Sequence, residues 1–218
     1  MSPKMEVSPR PGSRQAKKAA TRDALVAGAR ACFAEIGYAN TQIGDITRKA
    51  GVAHGTFYVH FANKETLLEE LLAAFNEGLV DRLRAVEAGS RMRGVTGLEP
   101  LVRRMAHTFV GYWLEHRDFV QAVAQKTALG TSTESLRDGI NPQMVTYLTR
   151  ALQETAGALG TALPQVELVT HGLLAMWMRI GMKALFDDAV SQTDAEECLV
   201  AMTVGVLRQT VTRTIGAT

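Results

Sequence analysis

The sequence has little of what marks several large protein classes. Its 218 residues include only two cysteines, Cys32 and Cys198, without a CxxC spacing, so neither a disulfide framework nor a zinc site is indicated. The longest uninterrupted apolar stretch runs from Gly172 to Met178 and is closed by Arg179, far short of the roughly 18 residues that a membrane-spanning helix needs. No apolar segment of the kind found in signal peptides follows the basic N-terminal residues. We therefore expect a cytoplasmic protein.

Motifs of common catalytic sites are absent as well. The sequence contains no glycine-rich phosphate loop, no GxSxG and no HExxH, each of which would place specific groups around a reacting atom. Apolar residues make up 46% of the chain and charged residues 21%, as in ordinary globular proteins. We expect a protein that is not an enzyme and needs no metal or cofactor.

Positive charge is concentrated in the first third of the chain. Residues 1–64 hold ten lysines or arginines against four acids, whereas the whole chain has a net charge of only +2. Because clustered cations bind phosphates, this asymmetry favours a polyanion partner for the N-terminal end. A solvated tail explains the same composition, and residues 1–20 are predicted to be a disordered basic arm.

The apolar pattern after this arm predicts a first amphipathic helix. Its buried face consists of Leu25, Ala29, Cys32, Phe33 and Ile36, at the spacing of a single helical face. Gly37 is expected to end this helix. Because Cys32 lies on the apolar face, we interpret it as a small buried hydrophobic residue and not as a redox group.

Two shorter helices are predicted next. The first follows Asn40 and Thr41, either of which can cap it, and ends at Gly51. The second covers residues 53–61 and is too short to be stable without packing, for which Val52, Phe57 and Phe61 are the anchors. Two short helices joined by a glycine turn form a helix-turn-helix.

The remaining sequence predicts an all-α fold. Asn63 is expected to cap a helix whose apolar stripe continues to Val86. Further helices are predicted over residues 98–116, 118–129, 141–158, 166–188 and 194–213. Asn141 before Pro142, and a capping box from Thr193 to Glu196, are the predicted caps of two of them.

The run TQIGDITRKAGVAHGTFYVHFANKETLL, from Thr41 to Leu68, resembles the tetracycline-repressor (TetR) family of bacterial transcription regulators. The resemblance joins a helix-turn-helix to the GTFYxHFxxKExLL segment, so it is far more specific than a bare helix-turn-helix pattern. It implies a DNA-binding domain over residues 21–66 and a larger helical domain over 67–218 for ligand binding and dimerisation.

The resemblance also implies which residues contact DNA. The N-terminal residues of a recognition helix face base edges in the major groove, and here they are His54, Gly55 and Thr56. Family members grip phosphates at the positions of Tyr58, His60 and Lys64, and often near Thr41 and Gln42. Lys64 adds a physical argument, because a cation in the first turn of a helix is unfavourable unless an anion lies nearby. The basic residues of the arm either reach the DNA or stay solvated.

In the larger domain we expect an apolar pocket with a few polar anchors. Its candidate residues are Phe109, Tyr112, Trp113, His116, Met144, Tyr147, Met176, Trp177 and Arg179. The last helix is apolar nearly all round, and Gly172, Ala175, Gly181 and Ala184 on the preceding helix allow close approach. These features predict a homodimer through the last two helices.

The resulting hypothesis is a ligand-responsive regulator of transcription that binds a palindromic operator as a dimer and is released by a small, largely apolar molecule. Two alternatives remain open at this point. One is a DNA-binding regulator without a small-molecule inducer. The other is a helical ligand-binding or catalytic protein whose N-terminal bundle is only structural.

Overall fold

The computed structural model describes residues 11–89, 97–128, 142–158, 160 and 162–215, and their regular secondary structure is entirely helical. The helices are α1 (Pro11–Asn40), α2 (Ile43–Lys49), α3 (His54–Phe57), α4 (Lys64–Ala88), α5 (Leu98–Glu115), α6 (Arg117–Ala128), α7 (Pro142–Ala158), α8 (Val166–Phe186) and α9 (Gln192–Ile215). The predicted all-α fold is therefore confirmed. None of these helices has both the length and the apolar character needed to cross a membrane.

The described residues form two compact units. The N-terminal unit comprises those up to Leu71 together with Gln121–Ala128, and the C-terminal unit comprises the others. The predicted limits of the functional domains, at residues 20 and 66, stay a prediction.

The first helix begins earlier than predicted. It starts at Pro11, so the prediction of disorder is wrong for residues 11–20, while residues 1–10 lie outside the described part. Proline suits the first helical position, where its missing N–H costs no hydrogen bond. The following residues, from Gln15 to Ala20, are all good helix formers.

The buried face of α1 follows the predicted stripe as far as Phe33. Leu25, Ala29, Cys32 and Phe33 are buried, and burial raises the pKa of the Cys32 thiol. Ile36 is 45% exposed, against prediction, because the chain turns one residue later. Gly37 has φ 77° and ψ 160°, so the regular helix does end there as predicted.

The short helices α2 and α3 pack against α1 around a small apolar core. A Cβ atom at Gly28 would lie 2.9 Å from the Ile46 carbonyl oxygen, which shows how closely α1 and α2 approach. The N-cap of α2 is Gln42, whose backbone N–H donates to the Asp45 carboxylate at 3.0 Å. The predicted caps, Asn40 and Thr41, are therefore wrong by one or two residues. Gly51, with φ 68°, forms the turn that precedes α3.

The fourth helix begins where the sequence predicts. Asn63 accepts a hydrogen bond from the Thr66 backbone N–H at 2.8 Å, and this confirms it as the cap. The predicted stripe on α4 is buried at Leu68, Leu71, Phe75, Leu79 and Leu83.

In the C-terminal unit, α5 packs on α8 and α9, and α8 packs on both α7 and α9. All five helix ranges predicted after residue 97 are confirmed to within two residues. Asn141 lies outside the described residues. The predicted cap at Thr193 is wrong, because the Ser191 hydroxyl accepts the Asp194 backbone N–H at 3.1 Å instead.

Candidate DNA-binding surface and effector cavity

The candidate recognition helix α3 is a single turn. It spans four residues, with Ala53 as an extended N-cap, and is therefore shorter than the predicted range of 53–61. The side chains of Phe57 and Phe61 anchor it, since both are buried and their ring centroids lie 5.6 Å apart. Because two aromatic anchors fix this turn, its other side chains face outward.

Those outward side chains include most of the predicted DNA contacts. His54 and Gly55 are exposed, while Thr56 and His60 are half-buried. Tyr58 is 54% exposed, and its ring lies 5.7 Å from that of His54 between centroids. Val59 is 66% exposed. The structure thus brings a phenol, an imidazole and an apolar side chain together on one solvent-facing turn.

The N-terminal end of α2 adjoins this turn. A Cβ atom at Gly44 would lie 4.0 Å from the His54 ring, an ordinary van der Waals distance, so α2 and α3 lie close together there. Gln42 is exposed beside it. The side chain of Thr41 is buried, however, and its hydroxyl donates to the Gly37 carbonyl at 2.7 Å. In this structure Thr41 holds the end of α1 and is not presented to a DNA backbone.

Lys64 also makes contacts that the sequence did not reveal. Its ammonium group donates to the carbonyl oxygens of Tyr38, at 2.8 Å, and Thr41, at 2.7 Å. The same group lies 4.3 Å from the centre of the Tyr38 ring. Backbone carbonyls where α1 ends therefore supply the negative partner that we expected a phosphate to provide.

Tyr38 and Glu65 complete this connection between α1 and α4. The Tyr38 hydroxyl donates to the Glu65 carboxylate at 2.8 Å. Burial, and then this carboxylate, raise the pKa of Tyr38. The junction that orients α3 is thus built from groups that sequence reasoning had assigned to DNA or left without a role.

The C-terminal unit contains an apolar cavity of about 90 Å³. Side chains from α4, α5, α7, α8 and α9 line it: Leu83, Leu98, Val102, Met105, Phe109, Met144, Tyr147, Leu148, Ala151, Leu152, Thr155, Leu173, Leu174, Trp177, Thr203 and Leu207. The Trp177 indole N–H donates to the Thr203 hydroxyl at 2.9 Å, so this polar pair is satisfied within the wall. Within the described part of the chain, none of these wall residues is charged, and an ion among them would be unpaired.

Four of the predicted pocket residues lie in this wall, namely Phe109, Met144, Tyr147 and Trp177. Burial raises the pKa of Tyr147, and the nearby Glu87 carboxylate adds to the effect. Apart from Thr155 and Thr203, the other wall residues are apolar side chains at ordinary helical spacing, which no sequence signal distinguishes from core. That any of the four binds a ligand stays a prediction.

The other five predicted pocket residues lie elsewhere. Tyr112 donates its hydroxyl to the Phe75 carbonyl at 3.0 Å, and His116 contacts the Tyr112 carbonyl oxygen through Nδ1 at 2.9 Å. Trp113 packs against Gly181, where a Cβ atom would lie 3.0 Å from its ring. Met176 does not line the cavity, and Arg179 is exposed. On α5 the cavity-lining residues extend from Leu98 to Phe109, whereas in the next turn Tyr112 contacts α4 and Trp113 contacts α8.

Tyr112 belongs to a tight contact between α5 and α4. A Cβ atom at Gly78 would lie 2.5 Å from the Tyr112 hydroxyl oxygen. Beside it, Arg82 donates to both Glu115 carboxylate oxygens, at 2.6 and 3.1 Å, and lowers the pKa of that carboxyl. This part of α4 is therefore held firmly by the helix that also lines the cavity.

Helices α8 and α9 expose several apolar side chains, together with charged ones such as Arg179 and Lys183. The large apolar side chains are Leu168, Phe186, Met202 and Val206, and Gly172, Ala175, Ala201 and Gly205 are exposed as well. We call these eight residues the α8–α9 face. Gly181, which we had predicted to allow close approach of a second protomer, is instead buried under Phe109 and Trp113.

Comparison with known proteins assigns the N-terminal part of the chain. The family model described as "Bacterial regulatory proteins, tetR family" matches residues 25–71, which contain α2, α3 and the start of α4. The chain is 33% identical over 96 residues to the HTH-type transcriptional repressor KstR2 of Rhodococcus jostii, covering 44% of this chain and 47% of that protein. It is 31% identical over 116 residues to the fatty acid metabolism regulator protein of Bacillus subtilis, covering 53% and 56%.

A likeness in fold extends over most of the chain. A crystal structure of a TetR-family regulator from Syntrophomonas wolfei matches with a TM-score of 0.70 and 17% identity, covering 86% of this chain and 94% of that one. At that identity the likeness shows the fold alone. The chain spans about half the length of the curated relatives named above. Residues 25–71 therefore match the TetR family of bacterial regulatory proteins, and the fold is similar to that of TetR-family regulators.

Proposed function

We propose that this protein is a transcriptional repressor that binds a palindromic DNA operator as a homodimer and is released by a small, largely apolar effector. The observation that carries the proposal is the exposed turn of α3, which lies inside the segment that matches the family. The relative from Rhodococcus jostii is named a transcriptional repressor, and this supports repression over activation.

The exposed turn suits base reading with few direct contacts. His54 and Thr56 can hydrogen-bond base edges, and Val59 can contact a thymine methyl group. Gly55 has no atom within 4 Å of a Cβ position, so the DNA backbone can come close to it. Because the turn offers no arginine or glutamine for a bidentate contact, DNA shape must supply part of the specificity.

The phosphate contacts fall to a smaller group than the sequence suggested. The side chains that can donate to phosphate oxygens are exposed or half-buried. They belong to Tyr58, His60 and Gln42. Thr41 and Lys64 support these contacts indirectly, because their hydrogen bonds fix the junction of α1 and α4. Their loss would displace the reading turn without removing a direct contact.

The α8–α9 face supports dimerisation. Burial of its four large apolar side chains by a second copy would remove exposed apolar area from water. The small residues between them would let the two helices of each protomer approach closely. A two-fold dimer presents two reading turns, and this matches an operator with two inverted half-sites about 34 Å apart.

The cavity supports an effector with a hydrocarbon part. Its wall is largely apolar, and its polar side chains are the Trp177–Thr203 pair, Tyr147 and Thr155. The Bacillus subtilis relative is named a fatty acid metabolism regulator, which makes alkyl chains the first ligands to test. Leu83 of α4 lines the cavity, so a ligand that needs more space shifts the helix that begins directly after the reading turn.

The experiment that tests DNA binding is a selection from a random duplex pool with the purified chain, at a stated near-physiological salt concentration. The expected result is an enriched inverted repeat whose two half-sites lie in successive major grooves. Enrichment of a single half-site would contradict the dimer, and failure of a folded protein to enrich any sequence would contradict DNA reading. A Tyr58→Phe, His60→Ala variant should bind the selected duplex more weakly with the same sequence preference.

Effector binding has a built-in reporter. The chain contains two tryptophans, and a Trp113→Phe variant leaves Trp177 in the cavity wall as the single one. Titration with decanol should change its emission and raise the melting temperature. An effector must also lower operator affinity by the factor by which operator lowers effector affinity. If no compound changes melting or emission while DNA is still bound, the protein is a regulator without a small-molecule inducer.

A further inference from the structure

The N-terminal end of α1 is a helical, solvent-exposed and purely basic segment. Every residue from Arg14 to Ala20 is exposed, and the stretch includes Arg14, Lys17 and Lys18. No acid occurs between Pro11 and Arg22. We call these three cations the α1 basic segment.

These cations differ from other cations of the same unit. Arg22 pairs with Glu70, Lys49 pairs with Glu35, and Arg48 lies 3.1 Å from Asp45. Arg14, Lys17 and Lys18 have no ion-pair partner among the side chains that the structure describes. Their charge is therefore fully available to an external anion.

The helix start also leaves these cations uncompensated within α1. They lie in its first two turns, and the first turn contains no acidic residue. Positive side chains near the N-terminus of a helix oppose the positive end of its dipole. The free protein gains nothing from this arrangement, whereas a bound polyanion would interact favourably with both the side chains and the helix end.

The position of the α1 basic segment within the N-terminal unit indicates which polyanion it would bind. Arg22 lies one helical turn after Lys18 and two turns after Arg14. Its guanidinium group is 5.0 Å from the centre of the Phe61 ring, and Phe61 directly follows His60. The α1 basic segment thus extends by about 6 and 12 Å along the helix axis from a residue that packs beside the reading turn. That separation is within the reach of one DNA backbone.

We propose that the α1 basic segment is a second DNA contact, which binds phosphates of the operator duplex and adds affinity without reading sequence. The inference rests on the proposed function, because it needs the exposed turn of α3 to be on DNA. The two contacts have different effects on binding. The α3 turn determines which sequence is bound, and the α1 basic segment determines how strongly salt weakens binding.

The test compares the full-length protein with an Arg14→Gln, Lys17→Gln, Lys18→Gln variant on the duplex obtained by selection. Glutamine has nearly the helix propensity of lysine and arginine, so α1 should remain folded, and far-UV circular dichroism checks this. Each phosphate contact contributes about 0.9 to the slope of log affinity against log salt. We expect the slope to fall by up to about 3 for each protomer bound, with the selected sequence unchanged.

A charge-preserving variant, Arg14→Lys, Lys17→Arg, Lys18→Arg, is the matched control and should keep the wild-type slope. If the glutamine variant has the wild-type slope on the selected duplex, the α1 basic segment does not contact DNA, while the proposed function stands. If it changes the selected sequence, the segment reads bases and the proposal is wrong in its mechanism. A wild-type protein that enriches no duplex overturns the proposed function and this inference together.

Discussion

For the Lys64 ammonium group, the sequence suggests a DNA phosphate as the partner, whereas the structure shows two backbone carbonyls. Its ammonium group donates to the carbonyls of Tyr38 and Thr41, at the end of α1. Lys64→Met removes these charge-assisted hydrogen bonds and leaves two carbonyls without this donor. We expect a loss of about 1.5 to 3 kcal/mol in the free energy of unfolding, measured by urea denaturation.

Arg30 provides the comparison for Lys64. It is exposed on α1, and Arg30→Gln should change the free energy of unfolding by no more than about 0.5 kcal/mol. A Lys64→Met protein with wild-type stability and weakened DNA binding would contradict the structural role. It would restore the interpretation of Lys64 as a direct phosphate contact.

Gly78 and Gly111 are both interior helix glycines, but their surroundings differ. A Cβ atom at Gly78 meets the Tyr112 hydroxyl at 2.5 Å, whereas one at Gly111 has nothing within 4 Å. Gly111→Ala should therefore stabilise the protein by about 0.5 to 1 kcal/mol. Gly78→Ala must displace Tyr112 from the Phe75 carbonyl and should destabilise by about 1 to 3 kcal/mol.

The Gly78 prediction has an internal check. Adding Tyr112→Phe removes the hydroxyl that the new methyl group meets, so the double variant should recover part of the stability lost in Gly78→Ala. Thermal denaturation of the four proteins gives both the single effects and their coupling. Equal destabilisation by alanine at both glycines would rule out the contact between α4 and α5 as the cause.

At the scale of the element, the start of α9 has two candidate N-cap residues, Ser191 in the structure and Thr193 in the prediction from sequence. The Ser191 hydroxyl accepts the Asp194 backbone N–H at 3.1 Å, and its own hydroxyl hydrogen goes to the Asp194 carboxylate at 2.6 Å. Ser191→Ala should cost about 1 kcal/mol of stability, as N-cap replacements do. Thr193→Ala, at the cap predicted from sequence, should be nearly neutral. The reverse order in thermal denaturation would contradict the observed cap.

The same cap has a pH dependence of known sign. Hydrogen bonds from the Ser191 hydroxyl and backbone N–H lower the pKa of Asp194 from its ordinary value of 3.8. The ionised carboxylate therefore stabilises the fold above that value, and the contribution is lost as the pH falls through the lowered pKa. The destabilisation caused by Ser191→Ala should accordingly shrink in acid.

Helix bodies were predictable because their apolar faces repeat over many turns. The ranges of α5 to α9 were obtained to within two residues. Individual caps were less predictable: Asn63 was right, whereas the caps of α2 and α9 were wrong, because a cap depends on which of several adjacent polar side chains meets a backbone N–H. For the same reason the roles of Thr41 and Lys64 stayed hidden, since their partners are carbonyls that become available only after the chain turns at Gly37.

The cavity was predictable only in part, for a reason of geometry. Phe109, Tyr112, Trp113 and His116 share one face of α5 in a helical projection. Beyond Phe109, however, Tyr112 packs on α4 and Trp113 on α8, so Phe109 is the one of these four that reaches the cavity. Sequence periodicity identifies a buried face, but it does not tell which neighbouring helix covers each turn. Wall residues such as Ala151 and Leu152 have no feature that separates them from core.

At the scale of the whole molecule, the proposed repressor requires that an occupied cavity be incompatible with operator binding. This can be tested without knowing the effector. Ala151 and Thr155 line the cavity from α7, and Ala151→Leu or Thr155→Leu would place a permanent hydrocarbon group there. If occupancy shifts α4, we expect both variants to bind the selected operator more weakly than wild type, in a gel-shift titration at fixed salt.

The stability of these variants decides how a change in affinity is interpreted. A side chain that fills the cavity buries additional apolar groups and should raise the free energy of unfolding by about 1 to 2 kcal/mol. Gln153→Leu, exposed on the same helix, should change neither quantity. A filled cavity in a more stable protein that binds operator like wild type would break the link between cavity and DNA. Weaker binding by a stabilised variant, by contrast, can arise only from a shift between folded conformations, because loss of folded protein would carry the opposite sign in stability.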